Sequence, residues 1–174
     1  NKRIGEHWLQ QAEAEHASIA SFARHTLQLM SIGAPSMLLA ASQQASLDEI
    51  KHAKICYGIA SAFLGADFFP GSLEVTDSMS QMNIKDIIQS LVQDGCIEES
   101  LSAMEARFQA RWTDIPAIKD SLETIAVEET SHAQLAWDTI SWIVGRYPEQ
   151  KQFVIETFRE AFEAHWGNLS NYVD

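Results

Sequence analysis

Glycine and proline interrupt helices more readily than any other residues, and this chain gathers most of them into a few short stretches. Gly33 stands beside Pro35, Gly65 near Pro70 and Gly71, and Gly145 near Pro148; Pro116 and Gly167 stand apart. Between these points run long segments rich in Ala, Leu, Glu, Gln and Ser, without period-two alternation. Such segments read as helix. The spacing predicts helices over residues 4–31, 35–64, 83–111, 115–145 and 148–167. Pro35 and Pro116 suit first turns, and Thr113 or Asp114 is expected to cap the fourth helix. At about 1.5 Å per residue, the first four helices would each be about 40–48 Å long.

The connections sharpen this picture. Helices one and two are joined by a few residues, as are helices three and four, so each pair is expected to form an antiparallel hairpin. The link over residues 65–82 is long enough to travel the length of a bundle and start helix three from the far end. Residues 1–174 therefore read as one all-α domain. Its expected architecture is a four-helix bundle with a long crossover between helices 2 and 3, plus a C-terminal fifth helix.

Charge excludes some partners. Twelve basic residues stand against 24 acidic ones, a net charge of −12. Nucleic acid and anionic membrane surfaces are bound mainly through Lys and Arg, so neither is expected as a partner. No run approaches the roughly 18 apolar residues of a bilayer-spanning helix. Cys56 and Cys96 are too few for a disulfide framework, and a cytoplasmic location is expected. Because the chain begins at Asn1 rather than Met, a segment upstream of it is allowed for.

The remaining question is whether any carboxylates lie inside. Six His and fifteen Glu among 174 residues would place a Glu three positions before a His about half a time by chance. Three cases occur: Glu13/His16, Glu49/His52 and Glu129/His132. Residues at i and i+3 share a helix face, so such a pair can serve one metal ion. On helix two, the stripe Leu38, Ser42, Ala45, Glu49, His52, Cys56, Ile59 and Phe63 leaves Gln43, Gln44, Lys51 and Lys54 on the opposite face. On helix four, the stripe Ile118, Leu122, Ile125, Glu129, His132, Ala136, Thr139 and Ile143 does the same. Both pairs point inward.

Helix one differs. Placing Glu15 inside buries Trp8, Ala12, Ile19, Phe22 and Leu29, and exposes Glu6, Gln10, Glu13 and Arg24. Glu13/His16 then reads as a surface coincidence. On helix three the residues leave two alternatives. Glu98 shares a face with Ile84, Leu91, Leu101 and Phe108, whereas Glu99 lies with Val92, Cys96, Ala103 and Ala106.

Four Glu and two His at mid-helix core positions would cost several kcal/mol each if buried without partners. Two dications balance four carboxylates. An oxygen-rich donor set with two imidazoles suits iron or manganese, and the lack of thiolates argues against structural zinc. The expected cofactors are two Fe ions, two Mn ions, or one of each.

The order is one Glu, then Glu-x-x-His, a crossover, one Glu, then Glu-x-x-His. It resembles the ferritin-like di-iron carboxylate superfamily over nearly the whole chain. The local strings Glu15-His-Ala-Ser-Ile-Ala-Ser-Phe22, Asp48-Glu-Ile-Lys-His-Ala53, Gly95-Cys-Ile-Glu-Glu-Ser100 and Glu128-Glu-Thr-Ser-His-Ala-Gln-Leu-Ala-Trp137 are similar to a group of bacterial ferritin-like domain proteins. The resemblance implies Glu15, Glu49, His52, Glu99, Glu129 and His132 as metal ligands. It also implies Asp48 and Glu128 as partners of the histidines, Asp48 towards His132 and Glu128 towards His52. Departures narrow the field. Ferritin proper lacks the second Glu-x-x-His, Ile50 stands where bacterioferritin carries a haem-ligating Met, and no Cys-x-x-Cys module of the rubrerythrin type follows.

The resemblance implies an oxygen-activating di-iron oxidase or oxygenase. Its partners would be dioxygen or peroxide, an external electron donor and a small organic substrate, in a chain that can form a homo-oligomer. Ser42, Ala45, Cys56, Ala103 and Ala136 would leave space for the substrate. One alternative is a ferroxidase or peroxide-detoxifying protein, which predicts a cage or higher oligomer. Another is a metal-stabilised helical scaffold without catalysis. Cys56 and Cys96, each a turn from an expected ligand, are expected to be buried core thiols. Trp137 and Trp142 are expected to brace helix four against helix five.

Overall fold

A computed structural model describes residues 2–76, 78, 80 and 82–170, with side chains described as far as Ala164. Every long apolar-periodic segment is helical, and no strand occurs among the described residues. Helix α1 spans Lys2–Ser31 and α2 spans Ser36–Leu64. Helix α3 covers residues 84–112 in three continuous pieces. These are an α-helical start at Ile84–Ser90, a π-helical stretch at Leu91–Glu98 and an α-helical end at Glu99–Trp112. Helix α4 spans Pro116–Arg146, and after a 3₁₀ turn at Pro148–Gln150 the chain ends its described course in α5, Lys151–Ser170.

The helix ends follow local chemistry with one exception. Asn83 caps α3, its Oδ1 accepting from the backbone N–H groups of Lys85 and Asp86 at 3.1 Å each. Gly65 closes α2 in the left-handed conformation (φ 72°), its N–H donating to the Ser61 carbonyl. Neither Thr113 nor Asp114 caps α4. Ile115 occupies the cap position, where its apolar side chain can make no capping bond, and Pro116 takes the first helical position. α5 continues past the expected stop at Gly167.

Core clusters establish the helix directions. One cluster joins Trp8 and Ala12 of α1, Cys56, Tyr57 and Ala60 of α2, Ala106 and Ala110 of α3, and Leu122 and Ile125 of α4. The start of α1 therefore lies with the ends of α2 and α3 and the start of α4. Two further clusters fill the opposite end. Phe22, Leu29, Leu38 and Ala45 pack with Leu135, and Ile87, Ile88, Leu91, Val92 and Cys96 pack with Ile140, Ile143 and Val154. The order along the bundle is up, down, down, up, and the segment after Gly65 runs from one end to the other. Trp137 stacks on Phe158 of α5 at 5.1 Å, while Trp142 meets Tyr147 edge-on. Cys56 and Cys96 are free, buried and in separate clusters. Burial pushes both thiols up to about 12, which makes them inert packing groups. No described helix is long and apolar enough to cross a membrane.

Candidate metal centre

Helices α2 and α4 each contribute a buried Glu-x-x-His pair at the middle of the bundle. Glu49, His52, Glu129 and His132 are all buried, on stripes that are otherwise apolar. Each histidine faces the other helix's glutamate. His52 Nδ1 lies 3.0 Å from Glu129 Oε1, and His132 Nδ1 lies 3.1 Å from Glu49 Oε1. Glu15 from α1 approaches His52 Nδ1 at 3.6 Å, and Glu99 from α3 approaches His132 Nδ1 at 3.8 Å. The six residues divide into two overlapping sets whose donor atoms lie within 4.8 Å of one another. One set is Glu15, Glu49, His52 and Glu129; the other is Glu49, Glu99, Glu129 and His132. Glu49 and Glu129 belong to both.

Helix α3 presents Glu99 because of its π segment. The Glu99 N–H donates to the Asp94 carbonyl five residues back, one residue farther than in an α-helix. Each wider turn absorbs an extra residue, so the face that an unbroken α register gives to Glu98 passes to Glu99. Leu91 is buried before this shift, whereas Leu101 and Phe108, which share the Glu98 stripe, are 41% and 63% exposed after it. Ala103, Ala106 and Ala110 take the inside instead. Glu98 is exposed. Gly95 allows the close approach of α3 to α4. A Cβ there would stand 2.5 Å from Ala136 Cβ, one turn beyond His132.

The histidines are oriented from behind. His52 Nε2–H donates to Glu128 Oε2 at 2.8 Å, which leaves Nδ1 facing the carboxylates. Asp48 sits near His132 but 3.6 Å from its Nε2, beyond hydrogen-bond length. Its Oδ1 instead accepts from Lys51 Nζ at 2.7 Å and Gln44 Nε2 at 3.0 Å. Lys51 also donates to Glu128 Oε1 at 2.6 Å, so one ammonium ties together the two carboxylates behind the histidines. Sequence periodicity set Lys51 and Gln44 apart on the outer face; they lie at its edge, and their long side chains reach over. Arg24, expected on the surface, is half-buried, and its Nε is enclosed without a hydrogen-bond partner. Glu13 is exposed, as expected, and belongs to neither set.

Electrostatics divide the six groups. Burial raises Glu15 to about 7 and Glu99 to about 9. Burial also acts on Glu49 and Glu129, but the neighbouring imidazoles outweigh it and hold both carboxyls below their usual range. His52 and His132 are held far above 6.5, because the surrounding carboxylates overcome the cost of burying their charge. A metal-free centre therefore neutralises itself with protons.

The donor spacing is compatible with metal ions. Glu49 Oε2, His52 Nδ1 and His132 Nδ1 are buried without a hydrogen-bond partner, although carboxylate oxygens lie close to both nitrogens. In an octahedron with bonds of about 2.1 Å, adjacent donors stand about 3.0 Å apart. That is the spacing of the two closest nitrogen–oxygen pairs. A buried carboxylate and imidazole set of this kind could hold metal ions. Neither a family model, nor a curated protein, nor a solved structure matches this chain.

Proposed function

We propose that this chain is a ferritin-like dinuclear carboxylate protein that binds two iron or manganese ions and uses them in oxygen-dependent oxidation. The observation that carries the reading is the pair of overlapping donor sets sharing Glu49 and Glu129. The up, down, down, up helix order with its long crossover supports the ferritin-like assignment. In this reading Glu15 and His52 would hold one ion and Glu99 and His132 the other, with Glu49 and Glu129 available to both. When bound, a ferrous pair supplies two electrons and open coordination positions for dioxygen. Glu128 keeps the His52 tautomer with its proton on Nε2, so that Nδ1 is free to ligate. Phe22 packs edge-on against the His132 ring at 5.0 Å, and the buried Trp8 lines the cavity beside Glu15, Glu49 and Glu129.

The space around the centre constrains the substrate. Of the five small residues expected to make room for an organic molecule, only Cys56 lines the cavity of about 210 Å³ against the carboxylates. Ala136 lines a smaller one beside His132. Ser42 is committed to hydrogen bonds with Thr26 Oγ1 and the Phe22 carbonyl. The larger cavity is small and seven carboxylates line it, which favours iron(II) itself as the substrate over a bulky organic one; this ferroxidase version is the second reading. Stopped-flow absorbance after mixing ferrous-loaded protein with oxygenated buffer tests both. A fast oxygen-dependent transient lost in Glu129→Ala is expected. Bound iron that does not react with oxygen would leave only the scaffold reading.

A further inference from the structure

Helices α1 and α3 barely meet along the bundle, and a cleft opens between them down to the centre. Its floor carries Glu15, Glu49, Glu99 and Glu129. Its walls carry three more carboxylates, Asp94, Glu98 and Glu105, among hydroxyl and amide groups such as Ser18, Ser102 and Gln109. Among the described residues no Lys or Arg lines it. Ser90 Oγ donates to Asp94 at 2.8 Å, and Gln109 Nε2 donates to Glu105 at 2.8 Å, so a neutral donor holds each of these two acids in place.

A second observation points to a ligand. Glu49 is 1% exposed, lines this cleft, and its Oε2 has no hydrogen-bond partner. The cavity beside His132 is mixed in charge. It holds about 50 Å³, and Arg24 and His25 line it with Asp94, Glu99 and His132. The Arg24 guanidinium disfavours passage of a cation on that side. A cleft lined by one sign of charge with low-dielectric walls concentrates counter-ions and accelerates their capture by about 10–10³-fold.

We infer that the cleft between α1 and α3 is the entry path for hydrated divalent cations, with Asp94, Glu98 and Glu105 drawing them towards Glu15 and Glu99. The inference rests on the proposed metal centre and adds a route to it. Asp94, Glu98 and Glu105 act on capture and not on the final complex, since they belong to neither donor set. Anionic molecules are repelled along the same path.

The test is the rate at which metal-free protein takes up Co²⁺, followed by visible absorbance in a stopped-flow instrument. Final stoichiometry is measured on the same samples. The double variant Glu98→Gln/Glu105→Gln is expected to load about 10-fold more slowly at low ionic strength while reaching the wild-type stoichiometry. The difference should shrink in 1 M salt, where the screening length falls to about 3 Å. Arg24→Gln serves as the comparison and should not slow loading. An unchanged rate in the double variant at full stoichiometry would overturn the entry path and leave the centre intact. No uptake by the wild-type protein would overturn the centre itself, and the path with it.

Discussion

Lys51 shows how much of a centre can depend on a residue that periodicity assigns to the surface. Its ammonium bridges Asp48 and Glu128 at 2.7 and 2.6 Å, and Glu128 in turn fixes His52. Lys51→Met is expected to weaken metal binding about 10–100-fold while leaving stoichiometry intact. Stability should change by less than about 1 kcal/mol, since the Lys51 side chain is half-exposed. Competition against a chelator of known affinity reads the first effect and denaturant unfolding the second; unaltered affinity would remove Lys51 from the account. Titration gives a second prediction at this scale. The ordinary carboxyl value is 4.5, and the folded values of Glu15 and Glu99 are raised to about 7 and about 9. A raised folded value stabilises fully below 4.5 and loses that contribution as pH rises through the folded value. The two imidazoles, raised above 6.5, add the same sign at higher pH, whereas lowered Glu49 and Glu129 destabilise only as pH falls below 4.5. The Tm of chelator-treated protein should therefore fall from pH 5 to pH 9, and metal affinity should rise over the same range as protons leave the ligands. A Tm that is flat or rising would contradict this.

At the scale of elements, the decisive feature is the π segment at Leu91–Glu98. It divides α3 into two registers, and Glu99 takes the inner position only because of the division. Glu99→Ala is expected to lower bound metal and Glu98→Ala to leave it unchanged. Deleting Gln93, an exposed residue within the π segment, should remove the extra residue, restore an α register with Glu99 still on the inner face, and leave both outcomes unchanged in that background. Metal analysis of the four proteins checks this. The same segment explains what the sequence could and could not tell. Glu49, His52, Glu129 and His132 were legible because α2 and α4 keep one period from end to end, with Leu38 to Cys56 and Leu122 to Ile143 on single buried stripes. Glu15 was legible because burying Glu13 instead would have exposed Trp8 and Phe22. The choice between Glu98 and Glu99 was not, because a fixed period cannot express a change of register. Leu101 and Phe108 keep an apolar face that the shifted helix turns outward. Asp48, Glu128 and Lys51 depend on contacts between α2 and α4, and no within-helix pattern encodes the 3.6 Å gap from Asp48 to His132.

The whole molecule is a bundle in which α1 to α4 each deliver part of a carboxylate and imidazole donor set that could hold metal ions. Helices α2 and α4 supply the shared core, and α1 and α3 close it from the sides while leaving a cleft between them. The net charge of −12 at first implies only a well-hydrated surface. Four of those carboxylates instead converge at mid-bundle. Bound metal should stabilise the folded chain by mass action, about 4 kcal/mol at a free concentration a thousandfold above Kd. The most direct test of the proposed dinuclear centre is metal per chain, measured by elemental analysis after loading with iron(II) under anaerobic conditions. Wild-type protein should hold two ions, and Glu49→Ala and His132→Ala should each hold fewer. An absence of bound iron in the wild-type chain, or unchanged content in both variants, would contradict the account.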